Sequence, residues 1–255
     1  MKAIILAAGK GSRLQPLTGS IPKCLIEVNK KPILQYQIEN LLSCNINDIT
    51  IVCGYLSDKV KQFVNNKYQM VHIIENFDYE TTNNMYSLYL VLKNINRADD
   101  FFIMNGDVIF EKEILDKLIK HKGDNLIACN TKHYNDESMK ISVYKHDRLS
   151  KIILNMYGLS GEDARRVVCI SKDISEYDAY GVSLDMYFLN KIGIKRLFKK
   201  INKYIKNNDF NKWTEVAIND ILKYTYFMAV ECNNHKWVEI DDLDDLNIAN
   251  TLFGG

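Results

Sequence analysis

The chain has 255 residues, 47% hydrophobic and 25% charged, the balance of an ordinary globular protein, which excludes a disordered or fibrous one. Its formal net charge of +1 gives no support for a general nucleic-acid surface, although a local basic pocket for a triphosphate is compatible with it. The six cysteines (Cys24, Cys44, Cys53, Cys129, Cys169, Cys232) are scattered without a CxxC pair or a histidine at ligand spacing, and read as small buried hydrophobes in a reducing cytoplasm.

The first stretch, Ala3-Ile4-Ile5-Leu6-Ala7-Ala8, is too short for a signal-peptide core or a bilayer span, so no membrane insertion is expected. As an apolar run ending in glycine it predicts a strand buried on both faces. The segment after it, Gly9-Lys10-Gly11-Ser12-Arg13-Leu14, can wrap an anion. Gly9 and Gly11 permit a positive φ and close approach of backbone N–H groups, and Arg13 and Lys23 supply fixed positive charge. The Walker pattern requires a lysine directly after its last glycine, and the dinucleotide pattern requires a third glycine, so this loop is neither.

Residues 33–42 carry apolar side chains at helical spacing behind the Lys30-Lys31-Pro32 turn. Residues 48–55 and 71–76 read as strands around a helix that begins at Ser57, and this alternation predicts a parallel sheet with ligands beyond the carboxyl ends of its strands. Gly54-Tyr55 stands where a dinucleotide enzyme would carry a ribose-binding acid. In Thr81-Thr82-Asn83-Asn84-Met85-Tyr86-Ser87, polar residues run straight into a helix; they can cap it or bond the edge of a pyrimidine.

Residues 100–110 read as one buried strand bearing Asp107, with Gly106 clearing space beside it. Beyond residue 125 the pattern becomes antiparallel: strands at 126–130, 140–144 and 167–170, with Lys145-His146-Asp147 able to turn a hairpin. Gly181 is expected to let backbone approach an acceptor. Residues 189–207 form a lysine-rich amphipathic helix whose charges read as a solvated face. A helix at 211–222 carries Trp213 and Glu215, and a strand at 237–240 delivers Asp241. Asp107 and Asp241, each leaving an apolar strand, can converge on a triphosphate only with a divalent cation between them, and Mg2+ is the expected ion.

The run Gly9-Lys10-Gly11-Ser12-Arg13-Leu14-Gln15-Pro16-Leu17-Thr18, followed by Pro22-Lys23, resembles the GxGxRLxPLT…PK segment of nucleotidyltransferases that activate sugar phosphates and choline phosphate. Asn83-Asn84-Met85-Tyr86-Ser87-Leu88-Tyr89-Leu90 resembles the segment beside the cytosine in bacterial CTP:phosphocholine cytidylyltransferases, and Gly106-Asp107 resembles the family's metal position. The resemblance implies an α/β, Rossmann-like mixed and mostly parallel sheet with helices on both faces and a smaller antiparallel acceptor-binding portion. It also implies a single domain over 1–255, with a nucleotide half to about residue 125 and an acceptor half after it.

The same resemblance implies Lys23 and Arg13 as the catalytic cations, Asp107 and Asp241 as metal ligands, and a nucleotide site formed by Leu6, Ala7, Ala8, Gly9, Gly11, Asn83 and Ser87. Lys172 is then placed for the acceptor's phosphate. Asp178, Tyr180, Trp213 and Glu215, together with Trp237, suit a cationic head group, since aromatic faces and carboxylates attract ammonium. The expected activity is CMP transfer from CTP to a phosphocholine- or aminoalkyl-phosphonate-type acceptor, in the cytoplasm and with a homodimer left open. The alternatives are a sugar-1-phosphate nucleotidyltransferase and a catalytically silent subunit; the latter predicts loss of Lys23 or a metal carboxylate, and all are present.

Overall fold

A computed structural model describes residues 1–121, 123–132, 138–144 and 165–254. The 145–147 hairpin expected from sequence lies outside the described residues. Strand β1 (Lys2–Ala7) is the centre of the sheet, pairing in parallel with β4 (Asp48–Cys53) on one side and β6 (Phe101–Asn105) on the other. Its alternation sorts the core into two layers. Ala3, Ile5 and Ala7 face the helices α1 (Ile33–Ser43), α2 (Ser57–Lys67) and α4 (Lys112–Lys120). Ile4 and Leu6 face α3 (Asn84–Leu92), α5 (Lys191–Lys206) and α6 (Thr214–Leu222).

The sheet continues through both halves of the chain. Beyond β4 lies β5 (His72–Glu75), parallel; beyond β6 lies β11 (Gly181–Leu189), antiparallel. Strand β11 in turn pairs with β8 (Asn125–Asn130) and with β9 (Lys140–Val143), which carries β10 (Val167–Ser171). Strand β12 (Phe227–Glu231) closes on β8, so among the described residues nine strands share one sheet. The mixed, mostly parallel sheet between two helical layers, with an antiparallel portion, is the architecture expected from the sequence.

Two local readings differ from the structure. The stretch 100–110 is two strands, because Gly106 turns against the end of β1: its N–H bonds Leu6 O at 2.8 Å, and a Cβ there would lie 2.7 Å from Ala7 Cβ. The second strand, β7 (Val108–Phe110), leaves the main sheet and pairs with β13 (Trp237–Glu239). The turn placed at residues 30–32 is instead Asn29-Lys30, both left-handed (φ 49° and 63°), joining β2 (Glu27–Val28) to β3 (Lys31–Pro32) as a two-residue hairpin.

A third, small apolar cluster sets the site. Leu14 and Ile26 from the loop region, Val28 of β2 and Ile33 of α1 pack against Ile109, Val238, Ile240 and Ala249, the last from α7 (Leu243–Phe253). Helix α7 starts in a capping box between Asp242 and Asp245. The cluster seats the glycine loop beside β7 and β13, whose ends carry Asp107 and Asp241.

Candidate active site

A cleft of about 330 Å³ opens at the carboxyl ends of β1 and β6, where Leu6, Ala8 and Gly9 form its floor. Gly11 is left-handed (φ 62°), as its glycine identity allows. A Cβ on Gly11 would press on the Lys23 stem at 3.0 Å, so its absence gives that side chain its route to the site. Gly9 is not left-handed, and open space surrounds it instead. The loop is held by Thr18, which donates to Gly11 O at 2.8 Å and whose own carbonyl accepts from Tyr55 OH.

Lys23 Nζ lies 2.7 Å from Asp107 Oδ2 and 2.7 Å from Asp241 Oδ1, while Arg13 reaches the other Asp241 oxygen at 2.8 Å. Antiparallel pairing of β7 with β13, extended by Ile240 N–H bonding Asp107 O at 3.0 Å, is what brings the two aspartates together. Burial opposes the Lys23 ammonium, but the two carboxylates outweigh it and hold its pKa above the ordinary lysine value. Burial likewise opposes Asp241 ionisation, and Lys23 and Arg13 overcome it, keeping that carboxyl below the usual range.

Glu239 was not singled out in the sequence, yet one oxygen each from Asp107, Glu239 and Asp241 lie within 4.8 Å of one another. The signal was available: residues 239 and 241 share a face of one extended segment. Burial, then the charges of Asp185, Asp107 and Asp241, push Glu239 up to about 9. Asp107 Oδ1 is buried with no hydrogen-bond partner among the described residues. An orphaned carboxylate oxygen in an all-oxygen donor set fits a hard divalent cation such as Mg2+.

The wall opposite is built by an irregularity in β11. Ser183 faces Cys129 and Tyr187 faces Ile127, so residues 184–186 lie opposite Ala128 alone, and Asp185 takes a left-handed φ of 51°. Its carboxyl accepts from Asn105 Nδ2 at 2.9 Å. Tyr187 OH lies 2.7 Å from Glu215 Oε1 and 3.3 Å from Asp185 Oδ1, with one proton to give. Burial, followed by the charges of Glu215 and Asp107, raises Asp185 to about 8; burial raises Glu215 as well. An Asp inside the apolar run 181–189 is the sequence cue for this residue.

Lys172, Trp213 and Glu215 line the same wall, with the Lys172 ammonium 5.4 Å from the centre of the Trp213 ring. Asn84 joins α3 to α6, accepting from Thr214 N at 2.8 Å, and its amide reaches Asn105 Oδ1 at 3.4 Å. Asn83 and Ser87 also line the cleft. Here Asn83 acts as the N-cap of α3, accepting from Asn84 N at 2.8 Å, while Ser87 is buried against Asn76.

Other residues expected at the site lie off the cleft lining. Tyr180 packs on the second core layer with its hydroxyl bonded to Glu231, and Asp178 is exposed in a turn with Ser175. Trp237 packs against the first core layer through its strand pairing with Phe110. Ala7 is buried beneath Gly106, and Gly11 backs the Lys23 stem without lining the cleft. Gly181 approaches β8, not an acceptor: a Cβ there would sit 2.4 Å from Asn130 O.

Residues 3–173 match the MobA-like NTP transferase domain. The chain is 31% identical over 260 residues to the CTP:phosphoglutamine cytidylyltransferase of Campylobacter jejuni, covering 97% of this chain and 98% of that one. It is 32% identical over 221 residues to the choline-phosphate cytidylyltransferase of Streptococcus pneumoniae, covering 85% and 93%. The solved CTP:phosphocholine cytidylyltransferase from Streptococcus pneumoniae superposes with a TM-score of 0.73 at 25% identity over 98% of this chain and 97% of that one. The inositol-1-phosphate CTP transferase of T. maritima shares the fold, with a TM-score of 0.77 at 18% identity over 100% and 96% of the two chains. With a glycine loop, two facing aspartates and this likeness over nearly its whole length, the chain belongs to the MobA-like NTP transferase domain family and is a nucleotidyltransferase.

Proposed function

We propose that the chain transfers CMP from CTP to a small acceptor bearing a phosphate or phosphonate, of the phosphocholine or 2-aminoethylphosphonate type, with Mg2+ as the metal. The observation that carries this reading is Lys23 held between Asp107 and Asp241 beside the glycine loop, which gathers cation, carboxylates and backbone amides at one end of the cleft. In this reading Asp107 and Asp241, with Glu239 beside them, would hold the metal, which when bound supplies charge neutralisation to the triphosphate.

The loop amides and Arg13 take the β- and γ-phosphates, and Lys23 spans the α-phosphate and the incoming acceptor. An oxygen of the acceptor's phosphate attacks the α-phosphorus, and the bond from that phosphorus to the oxygen bridging the β-phosphate breaks, so pyrophosphate leaves. The attacking oxygen is already anionic at neutral pH, so no general base is required, and positioning with charge stabilisation carries the rate. Asn83, Ser87 and the backbone of Leu6 to Ala8 read the cytosine.

A cationic acceptor fits the far wall through the half-exposed Trp213 ring, whose face attracts an ammonium. We place the enzyme in the cytoplasm, a reading that six unpaired cysteines, four of them buried, support. Pyrophosphate release is measured over CTP, UTP, dTTP and GTP against choline phosphate, 2-aminoethylphosphonate and a hexose 1-phosphate, with and without EDTA. The expected result is CTP with an amine-bearing acceptor, abolished by EDTA and restored by Mg2+. Turnover of a hexose phosphate alone would replace the acceptor assignment with an NDP-sugar activity.

A further inference from the structure

Lys23 occupies the place of a cation at its own carboxylate site. Its ammonium bonds one oxygen of Asp107 and one of Asp241, both at 2.7 Å, and Arg13 bonds the second oxygen of Asp241 at 2.8 Å. Three of the four aspartate oxygens therefore meet a cation of the chain, and the fourth, Asp107 Oδ1, is buried with no partner among the described residues. A hard divalent ion takes such oxygens at roughly 2.1 Å, and an ion bridging the two aspartates would compete with the ammonium now seated between them.

Five acidic side chains line the cleft (Asp107, Asp185, Glu215, Glu239, Asp241), and withdrawing Lys23 without a replacement would leave Asp107 with no cation and Asp241 with Arg13 alone. We propose that Lys23 is the resident counter-cation of the nucleotide-free enzyme, and that metal and triphosphate load together. The incoming phosphates draw the ammonium off Asp107 and Asp241 as the ion takes its place. Free metal is thereby kept out of an enzyme without nucleotide, and one lysine serves two successive partners. The Lys23 stem runs close past Gly11, its Cβ, Cγ and Cδ lying 3.0–3.2 Å from where a Gly11 Cβ would be, and the exchange is a swing of its outer bonds. The inference rests on the preceding reading of this pair as the metal site.

The test is Mn2+ binding to the full chain, followed by the paramagnetic signal of the free ion, without nucleotide and with CTP against a protein-free CTP control. Without nucleotide, Lys23→Gln, and Lys23→Met as a second variant, should bind Mn2+ at least ten-fold more tightly than wild type. CTP should tighten wild type more than either variant. Arg13→Gln removes equal charge from the outer oxygen of Asp241 without vacating the bridging position, and should gain less than Lys23→Gln. Wild type that binds Mn2+ with CTP, while both Lys23 variants gain nothing or Arg13→Gln gains as much, overturns this inference alone. No Mn2+ on wild type with CTP or on either Lys23 variant overturns the metal assignment and this inference with it.

Discussion

The side-chain amide of Asn105 donates a 2.9 Å hydrogen bond to Asp185 Oδ2, tying the last residue of a parallel strand to a carboxyl that the irregular stretch of β11 turns inward. This bond spans the point where the sheet changes from parallel to antiparallel pairing, and with it the two sides of the cleft. The Tyr187 hydroxyl, shared between Asp185 and Glu215, has one proton for two carboxyls, so a proton retained on Asp185 completes the set.

That buried acid makes the folded state sensitive to pH. Burial and neighbouring charge raise Asp185 to about 8, against roughly 3.9 in the unfolded chain. The folded state therefore holds a proton that the unfolded state has released, and the associated stability is fully present below about 4 and lost as pH rises through about 8. Thermal unfolding of the nucleotide-free protein between pH 5 and 9 should show a falling midpoint, and Asp185→Asn should flatten that fall. Parallel curves for the two proteins would contradict a raised Asp185.

Lys23→Ala should lower turnover by about a hundred-fold or more, the scale of losing a group that meets developing charge. Pyrophosphate release gives the rate, and an unchanged far-UV circular dichroism spectrum shows that the fold survives. Turnover close to wild type would remove Lys23 from the chemistry.

The two glycines flanking the site separate by their surroundings. At Gly106 a Cβ would come 2.7 Å from Ala7 Cβ and 3.1 Å from Leu6 O, so Gly106→Ala should cost about 1–3 kcal/mol and depress activity by shifting Asp107. A Cβ at Gly9 would meet no side chain or backbone beyond its chain neighbours within 4 Å, and the backbone is not left-handed, so Gly9→Ala should stay within about 0.5 kcal/mol of wild type. Denaturant midpoints of the two variants test the contrast.

Trp213→Ala probes the acceptor wall. A ring contact with a cationic group is worth about 0.5–2 kcal/mol, so the acceptor KM should rise by about two- to thirty-fold. The KM for CTP should move by less. Equal rises in both would assign Trp213 to general support of the cleft.

Much of this enzyme was readable as text because its signals are local. The apolar run 3–8, the glycines after it and Pro22-Lys23 lie close together in the chain, and hydrophobic periodicity marks the helices that begin at residues 33, 191 and 214 with an error of a few residues. Asp107 and Asp241 were also legible, since each follows an apolar segment.

Only the tertiary structure decided what those residues meet. The pairing of β7 with β13 brings Asp107 to Asp241 and adds Glu239, and the small cluster of Leu14, Val28, Ile109 and Ile240 seats the loop beside them. The irregular register of β11 aims Asp185 into the cleft, while the Glu231 contact carries Tyr180 away from it. Strand partners and register are chosen by packing between segments far apart in the chain, and local periodicity holds no record of that choice.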